Sequence, residues 1–245
     1  MSFYKKATNL YVKGVAKPYK LSRSKMELFM QCHRCFYLDR RLGVARPPGF
    51  PFNLNSCVDS LLKSEFDTYR EKRERHPIMP EGMIPFSHEM MDTWRANFKG
   101  VQYHHPDTNF LLTGAVDDLW INSAGEVVVV DYKSTSKKDK IVALDADWHD
   151  GYKRQMEFYQ WLLRRVGLSV SKSGYFVYCN GDSSKPMFDK KIEFDMTLIE
   201  HVGDDSWVEG VLMQMKNCLE SDEIPLANNQ CDYCAYLSMC DNLKQ

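Results

Sequence analysis

Two carboxylates and one amine fall on neighbouring stretches of this chain, Gly114-Ala115-Val116-Asp117 and Val130-Asp131-Tyr132-Lys133. Both stretches end or begin apolar runs that read as strands. Carboxylates so placed can hold a divalent cation; Mg²⁺ takes a few of them and keeps several waters. A cation held there neutralises the non-bridging oxygens of a phosphodiester and lowers the pKa of an adjacent water. The main-chain carbonyl of Tyr132 follows directly and offers a third ligand. Lys133 can orient the attacking water or stabilise charge developing on phosphorus. A bare D-x-K is common on half-exposed hairpins. Here it closes the run Val127-Val128-Val129-Val130, where a solvent-facing charge is out of place.

The elements that must position these groups can be read around them. Ser123-Ala124-Gly125 is a turn between the strands 110–122 and 126–134, with Gly at the position that wants positive φ. Pairing Asn122 with Glu126 sets Asp117 opposite Asp131, so both side chains project from one face. Lys133, two residues on, shares that face, while Tyr132 points away. Upstream, a helix capped by Ser22 or Ser24 runs to about Leu42 and is broken by Pro47-Pro48-Gly49. Helices are predicted over 53–75 and 87–98. Downstream, a basic loop 136–140 precedes an amphipathic helix 150–166 that carries Gln155, Phe158, Tyr159 and Leu162. Strands are predicted at 174–180 and 187–195 and a helix at 197–220. The order implies one α/β domain with helical flanks.

A second constellation lies near the chain ends. The eight cysteines include Cys32 and Cys35 early and the trio Cys231-x2-Cys234-x5-Cys240 late, with Cys57, Cys179 and Cys218 isolated. The isolated three read as small buried hydrophobes. Without an export signal this usage argues for metal binding over a disulfide framework. The trio can clasp one face of a metal cluster, with Cys32 as the best fourth ligand and Cys35 as its substitute. The competing reading is Zn²⁺ held by the two C-x2-C pairs, 32/35 and 231/234, which leaves Cys240 unused.

Composition bounds the rest. At 245 residues, 44% hydrophobic and net charge −1, the chain can bury a real core and is no general polyanion magnet. No eighteen-residue apolar run and no N-terminal h-region are present, so no membrane association is expected and a cytoplasmic location is the default. Basic charge is local. Residues 1–26 carry Lys5, Lys6, Lys13, Lys17, Lys20, Arg23 and Lys25 and no acid. Lys137, Lys138 and Lys140 follow Lys133 closely and could meet a phosphate backbone, extended by Arg34, Arg40, Arg41, Lys153 and Arg154. Tyr152, Trp148 and Phe110 are candidate stacking surfaces for single-stranded bases.

Gly114-x-x-Asp117, Asp131-x-Lys133 and Gln155-x-x-x-Tyr159 together resemble the successive motifs of the PD-(D/E)XK nucleases in their RecB-type branch. Leu21-Ser22-x-Ser24 leading to Gln31-Cys32-x-Arg34-x-Phe36-Tyr37 resembles the opening helix of that branch. The resemblance implies a restriction-endonuclease-like mixed central sheet flanked by helices, and Mg²⁺ or Mn²⁺ dependent cleavage of DNA, with single-stranded or free ends favoured. It implies a supporting role for Gln155 and Tyr159 beside the metal; plain helix packing is the alternative for that pair. It further implies a [4Fe-4S] cluster on Cys32, Cys231, Cys234 and Cys240, as in the helicase-associated and CRISPR-associated iron–sulfur nucleases, with segments 1–45 and 225–245 forming a helical cap on a single domain. One position departs: Asp59 stands where the family often has a histidine ligand, and an aspartate can still bind Mg²⁺. DNA repair, recombination or end processing is the implied setting, with a helicase or CRISPR adaptation partner. A non-catalytic DNA-binding module of the same fold is the rival reading.

Overall fold

The computed structural model describes residues 8–49 and 51–243, so Lys5 and Lys6 of the basic arm lie outside the described residues. In chain order the elements are β1 (Tyr19–Ser22), α1 (Arg23–Gln31), α2 (His33–Arg41), α3 (Asn53–Lys72), β2 (Ile84–Pro85), α4 (Met91–Arg95), β3 (Val101–His105), β4 (Phe110–Gly114), β5 (Asp118–Ile121) and β6 (Val127–Thr135). There follow α5 (Asp150–Arg165), β7 (Ser173–Gly181), β8 (Phe194–Val202), α6 (Trp207–Glu220) and α7 (Asp232–Asn242). No helix among the described residues is long and apolar enough to cross a membrane.

The chain forms two compact units. The first takes the described residues up to 49, Tyr103–Thr113 and the described residues from Ser206 onward; the second takes 51–102 and Gly114–Asp205. The second holds a five-stranded mixed sheet in the order β2-β5-β6-β7-β8. Strands β6 and β7 are parallel and the other pairs antiparallel. A parallel pair needs a long crossover, and α5 supplies it. Val128, Val130 and Tyr132 of β6 pack against Val58, Leu62 and Phe66 of α3. By the strand's alternation Val127, Val129, Asp131 and Lys133 face the other way. There Met156 of α5 sits so close to Gly174 of β7 that an added Cβ would lie 2.4 Å from its sulfur. A strand buried on both faces has no polar side, which is why β6 reads as an unbroken valine run.

The first unit carries a small sheet in the order β1-β4-β3, with β1 and β4 parallel. Helix α2 is tied to the segment after α6 by the Tyr37 hydroxyl, which donates to Ser221 O at 3.2 Å, and by Arg34, which donates to Pro225 O at 3.1 Å. Arg40 grips the buried Asp39 through two hydrogen bonds of 3.0 and 2.8 Å.

Several expected elements are corrected. The helix predicted from Ser22 to Leu42 is two helices, because Cys32 is extended (φ −165°, ψ 109°) and caps α2 by accepting from Cys35 N–H. The strand predicted over 110–122 is β4 and β5 in different sheets, with Asp117 in the break. The helix predicted to start at 197 starts at Trp207, and the strand predicted at 187–195 is displaced to Phe194–Val202. Phe194, Met196 and Leu198 alternate onto the α3-side core, and pairing with β7 along the whole of β8 outweighs the helical pattern. The short helix predicted at 87–98 shrinks to α4, and β1, β2 and β3 have no counterpart in the sequence reading.

Gly114 sets how closely α5 approaches. A Cβ there would lie 2.6 Å from Tyr159 Cε1 and 3.5 Å from Leu162 Cδ2. Overpacking of this kind costs about 1–3 kcal/mol. Gly114→Ala should lose that much in a urea unfolding titration; unchanged stability would mean that Tyr159 is not packed there.

Candidate active site and cysteine centre

Asp118 pairs with Val130 and Ile121 with Val127, so the same register sets Asp117 opposite Asp131. The turn closes with Asn122 N–H donating to Glu126 O at 3.0 Å and Gly125 at φ 78°. Asp117 is not itself in the ladder. Tyr132 N–H donates to its Oδ2 at 2.9 Å, which fixes the carboxylate over the start of the D-x-K segment. The Lys133 ammonium lies against Asp131 Oδ2. It also sits 4.5 Å above the Tyr152 ring and donates to Gln155 Oε1 at 3.5 Å. Gln155 Nε2 in turn donates to the Tyr159 hydroxyl at 3.4 Å, an i,i+4 contact along α5. The structure therefore brings Asp117, Asp131, Lys133, Gln155 and Tyr159 together. Tyr132 meets them through its peptide, while its ring turns into the α3-side core.

Two neighbours went unread in the sequence. Lys63 of α3 bridges acids, 2.8 Å from Asp59 Oδ2 and 4.0 Å from Asp117 Oδ1. Asp59 thus reaches the site through Lys63; the signal available was their i,i+4 spacing on one helix face. The second is Asp118, fully buried on the opposite face. It accepts from the Tyr132 hydroxyl at 2.8 Å and from Leu119 N–H at 2.9 Å, and it pairs with Arg70. Arg70 and Arg95 also share Asp67. This charged network anchors the residue next to Asp117.

The site fits a hard divalent cation. Asp131 is fully buried; its Oδ2 lies against the Lys133 ammonium, and its Oδ1 receives no hydrogen bond among the described residues. Buried carboxylates are otherwise paired, hydrogen-bonded or metal-bound. Asp131 is paired with Lys133, and a cation beside Asp117 would add counter-charge for the two facing carboxylates.

Loss of solvent, then the nearby Asp131, push the Asp117 carboxyl up to about 7, against the pull of Lys133 and Lys63. Because this folded-state value is raised, Asp117 contributes stability in the metal-free protein below about pH 4, and that contribution is lost as pH rises through about 7. A cation bound there would compete with this proton. If Mg²⁺ is that cation, its half-saturating concentration should rise about tenfold for each pH unit below 7. A flat dependence between pH 5.5 and 8 would contradict the assignment.

The flanking residues divide. Lys137, Lys138 and Lys140 are exposed and line a groove of about 500 Å³ with Asn180, Asp182 and Asp195. Asn180 clamps the loop at Lys137, accepting from its N–H at 2.8 Å and donating to its carbonyl at 2.9 Å. Lys137 Nζ lies 4.3 Å over the Trp148 ring, which is 47% exposed. Arg154 is partly buried on α5 beside Gln155. Phe110 is fully buried and cannot stack on a base. Arg40 is buried, and Arg34 and Arg41 donate to backbone carbonyls of the first unit, so these three serve the fold.

In the first unit, four buried thiols converge: Cys32, Cys35, Cys231 and Cys234, with all sulfurs within 4.8 Å of one another. Such a group can hold a metal. Cys35, and not Cys240, completes it. The reason is helical geometry: six residues beyond Cys234 on α7, Cys240 is about 9 Å further along the axis and on another face. Cys179 is buried as expected, whereas Cys57 is exposed and Cys218 half-buried.

No curated protein matches the chain. Among solved structures it is similar to one titled "Crystal structure of SSO0001", at 14% identity over 93% of this chain and 88% of that one, with a TM-score of 0.37. The sequence model of the PD-(D/E)XK nuclease superfamily matches residues 53–241. That span contains Asp59, Asp117, Asp131, Lys133, Gln155, Tyr159, Cys231 and Cys234; Cys32 and Cys35 precede it. With a mixed sheet flanked by helices and its acids and lysine gathered at one hairpin, this chain belongs to the PD-(D/E)XK nuclease superfamily.

Proposed function

We propose that the protein is a Mg²⁺ or Mn²⁺ dependent deoxyribonuclease that trims single-stranded DNA from free ends, in repair, recombination or end processing in the cytoplasm. One observation carries the reading: a fully buried Asp131, paired with the Lys133 ammonium, is set opposite a second carboxylate, Asp117.

Asp117, Asp131 and the Tyr132 carbonyl would hold the cation, with Asp59 in reach through Lys63. When bound, the cation neutralises phosphate oxygens and acidifies water. The chain does the rest. Tyr132 N–H keeps Asp117 aimed at Asp131. Lys133 places a positive charge where negative charge gathers on phosphorus, and Gln155 and Tyr152 hold its ammonium in place. In hydrolysis the water oxygen bonds to phosphorus, one phosphorus–oxygen ester bond breaks, and the water's proton ends on the departing alkoxide. Lys137, Lys138 and Lys140 would track the backbone beyond the scissile bond. Asp182 and Asp195 in the same groove temper that charge, so phosphate contacts there are few.

Oligonucleotides labelled at the 5′ or the 3′ end, single- or double-stranded, test this reading directly. Mg²⁺ should give stepwise shortening of single strands, abolished by EDTA. Lys133→Ala should slow cleavage by about 10²–10³-fold, the usual cost of losing one transition-state charge donor. Protein that binds the strands yet never cuts would instead favour a non-catalytic DNA-binding module. Cleavage only within closed circles would remove the end-trimming assignment.

A further inference from the structure

We infer that the cysteine centre holds a single tetrahedral Zn²⁺ in place of the [4Fe-4S] cluster that the sequence resemblance implies. One ion with metal–sulfur bonds of about 2.3 Å sets its sulfurs about 3.8 Å apart, the edge of the tetrahedron. Cys32 Sγ and Cys234 Sγ are 3.7 Å apart, as are Cys35 Sγ and Cys231 Sγ. These two edges share no sulfur, so together they pin all four ligands. Each edge joins one C-x2-C pair to the other, so the pairs interleave around one point. In a cubane cluster each cysteine binds a different iron, with inorganic sulfide between them. Its thiolates occupy a larger tetrahedron than one in which every pair is within 4.8 Å.

The two halves are built alike. Cys32 and Cys231 stand at the N-cap positions of α2 and α7, and each pair's second cysteine stands in its helix's first turn. Cys35 N–H donates to Cys32 Sγ at 3.4 Å. Four thiolates around a divalent ion leave a doubly negative centre, and Arg46 answers it, donating to Cys231 Sγ at 3.3 Å. Its guanidinium is held by Gln31 Oε1 at 2.8 Å and by the Tyr233 ring at 4.7 Å. Within α7 only Cys234 is buried, while Tyr236, Leu237 and Met239 are more than half exposed. With so little apolar contact, metal–thiolate bonds are what dock this helix on α2. The centre is therefore a structural clasp between segments nearly two hundred residues apart.

Metal and acid-labile sulfide analysis of the full chain, purified without air from cells given both iron and zinc, tests this directly. The expected result is one zinc per chain, no sulfide and no broad absorbance near ~400 nm. Cys240→Ser should keep the zinc and Cys35→Ser should lose it. Chelation should open residues 229–243 to protease ahead of the remainder. Iron, with or without sulfide, or zinc retained in Cys35→Ser, would overturn the assignment. If Cys35→Ser fails to fold, the wild-type metal content and the Cys240→Ser result still decide.

Discussion

A carboxylate taken out of water must find hydrogen bonds, a counter-charge or a cation, and Asp131 finds only the amine two residues along its own strand. The surrounding architecture makes that position unavoidable. Strand β6 is buried from Val127 to Tyr132, so an acid at position 131 is buried. The β5–β6 register then sets Asp117 across from it, and Tyr132 N–H locks the second carboxylate in place. Loss of solvent, and then the nearby Asp131, raise the Asp117 carboxyl to about 7. A cation would relieve both conditions at once, which gives the site a purpose beyond stability.

Adjacent acids serve opposite ends here. Asp117 sits in the break before β5 and faces the site. Asp118, one residue on, turns into the α3-side core and is held by Tyr132, Arg70 and the Arg95–Asp67 pair nearby. Tyr132 links the two: its hydroxyl serves Asp118 and its peptide N–H serves Asp117. Burial pushes the Asp118 carboxyl up while Arg70 and Arg95 pull it down. Such a buried network specifies a unique arrangement when fully satisfied. It holds the hairpin end rigid where the chemistry needs placement within fractions of an ångström.

How much of this the sequence carried depends on whether the signal is local. The hairpin register was legible because Gly125 marks the turn and the period-two alternation does the counting. The Gln155–Tyr159 pair was legible because i,i+4 spacing on an amphipathic helix is local too. Asp118 was not, since its partners Arg70 and Arg95 come from distant segments and two consecutive acids look alike until the strand's facing is known. Strand β8 was misread because Met196, Leu198 and Ile199 suit either period, and only β7 decides. The break at Cys32 was invisible for a related reason. Nothing in its composition ends a helix; the extended turn is set by capping α2 and by thiols almost two hundred residues away.

The cysteine centre and the acidic site thus differ in kind: one gathers four soft thiols within 4.8 Å of one another, the other sets two hard carboxylates opposite each other. The acidic site is where the chemistry is decided. Electron paramagnetic resonance titration of Mn²⁺ measures it most directly, because free and bound ion are counted separately. Wild-type protein should bind Mn²⁺ at a site that Asp131→Asn abolishes while leaving the fold intact. Equal Mn²⁺ binding by the wild type and Asp131→Asn would show that the two opposed carboxylates do not hold a cation.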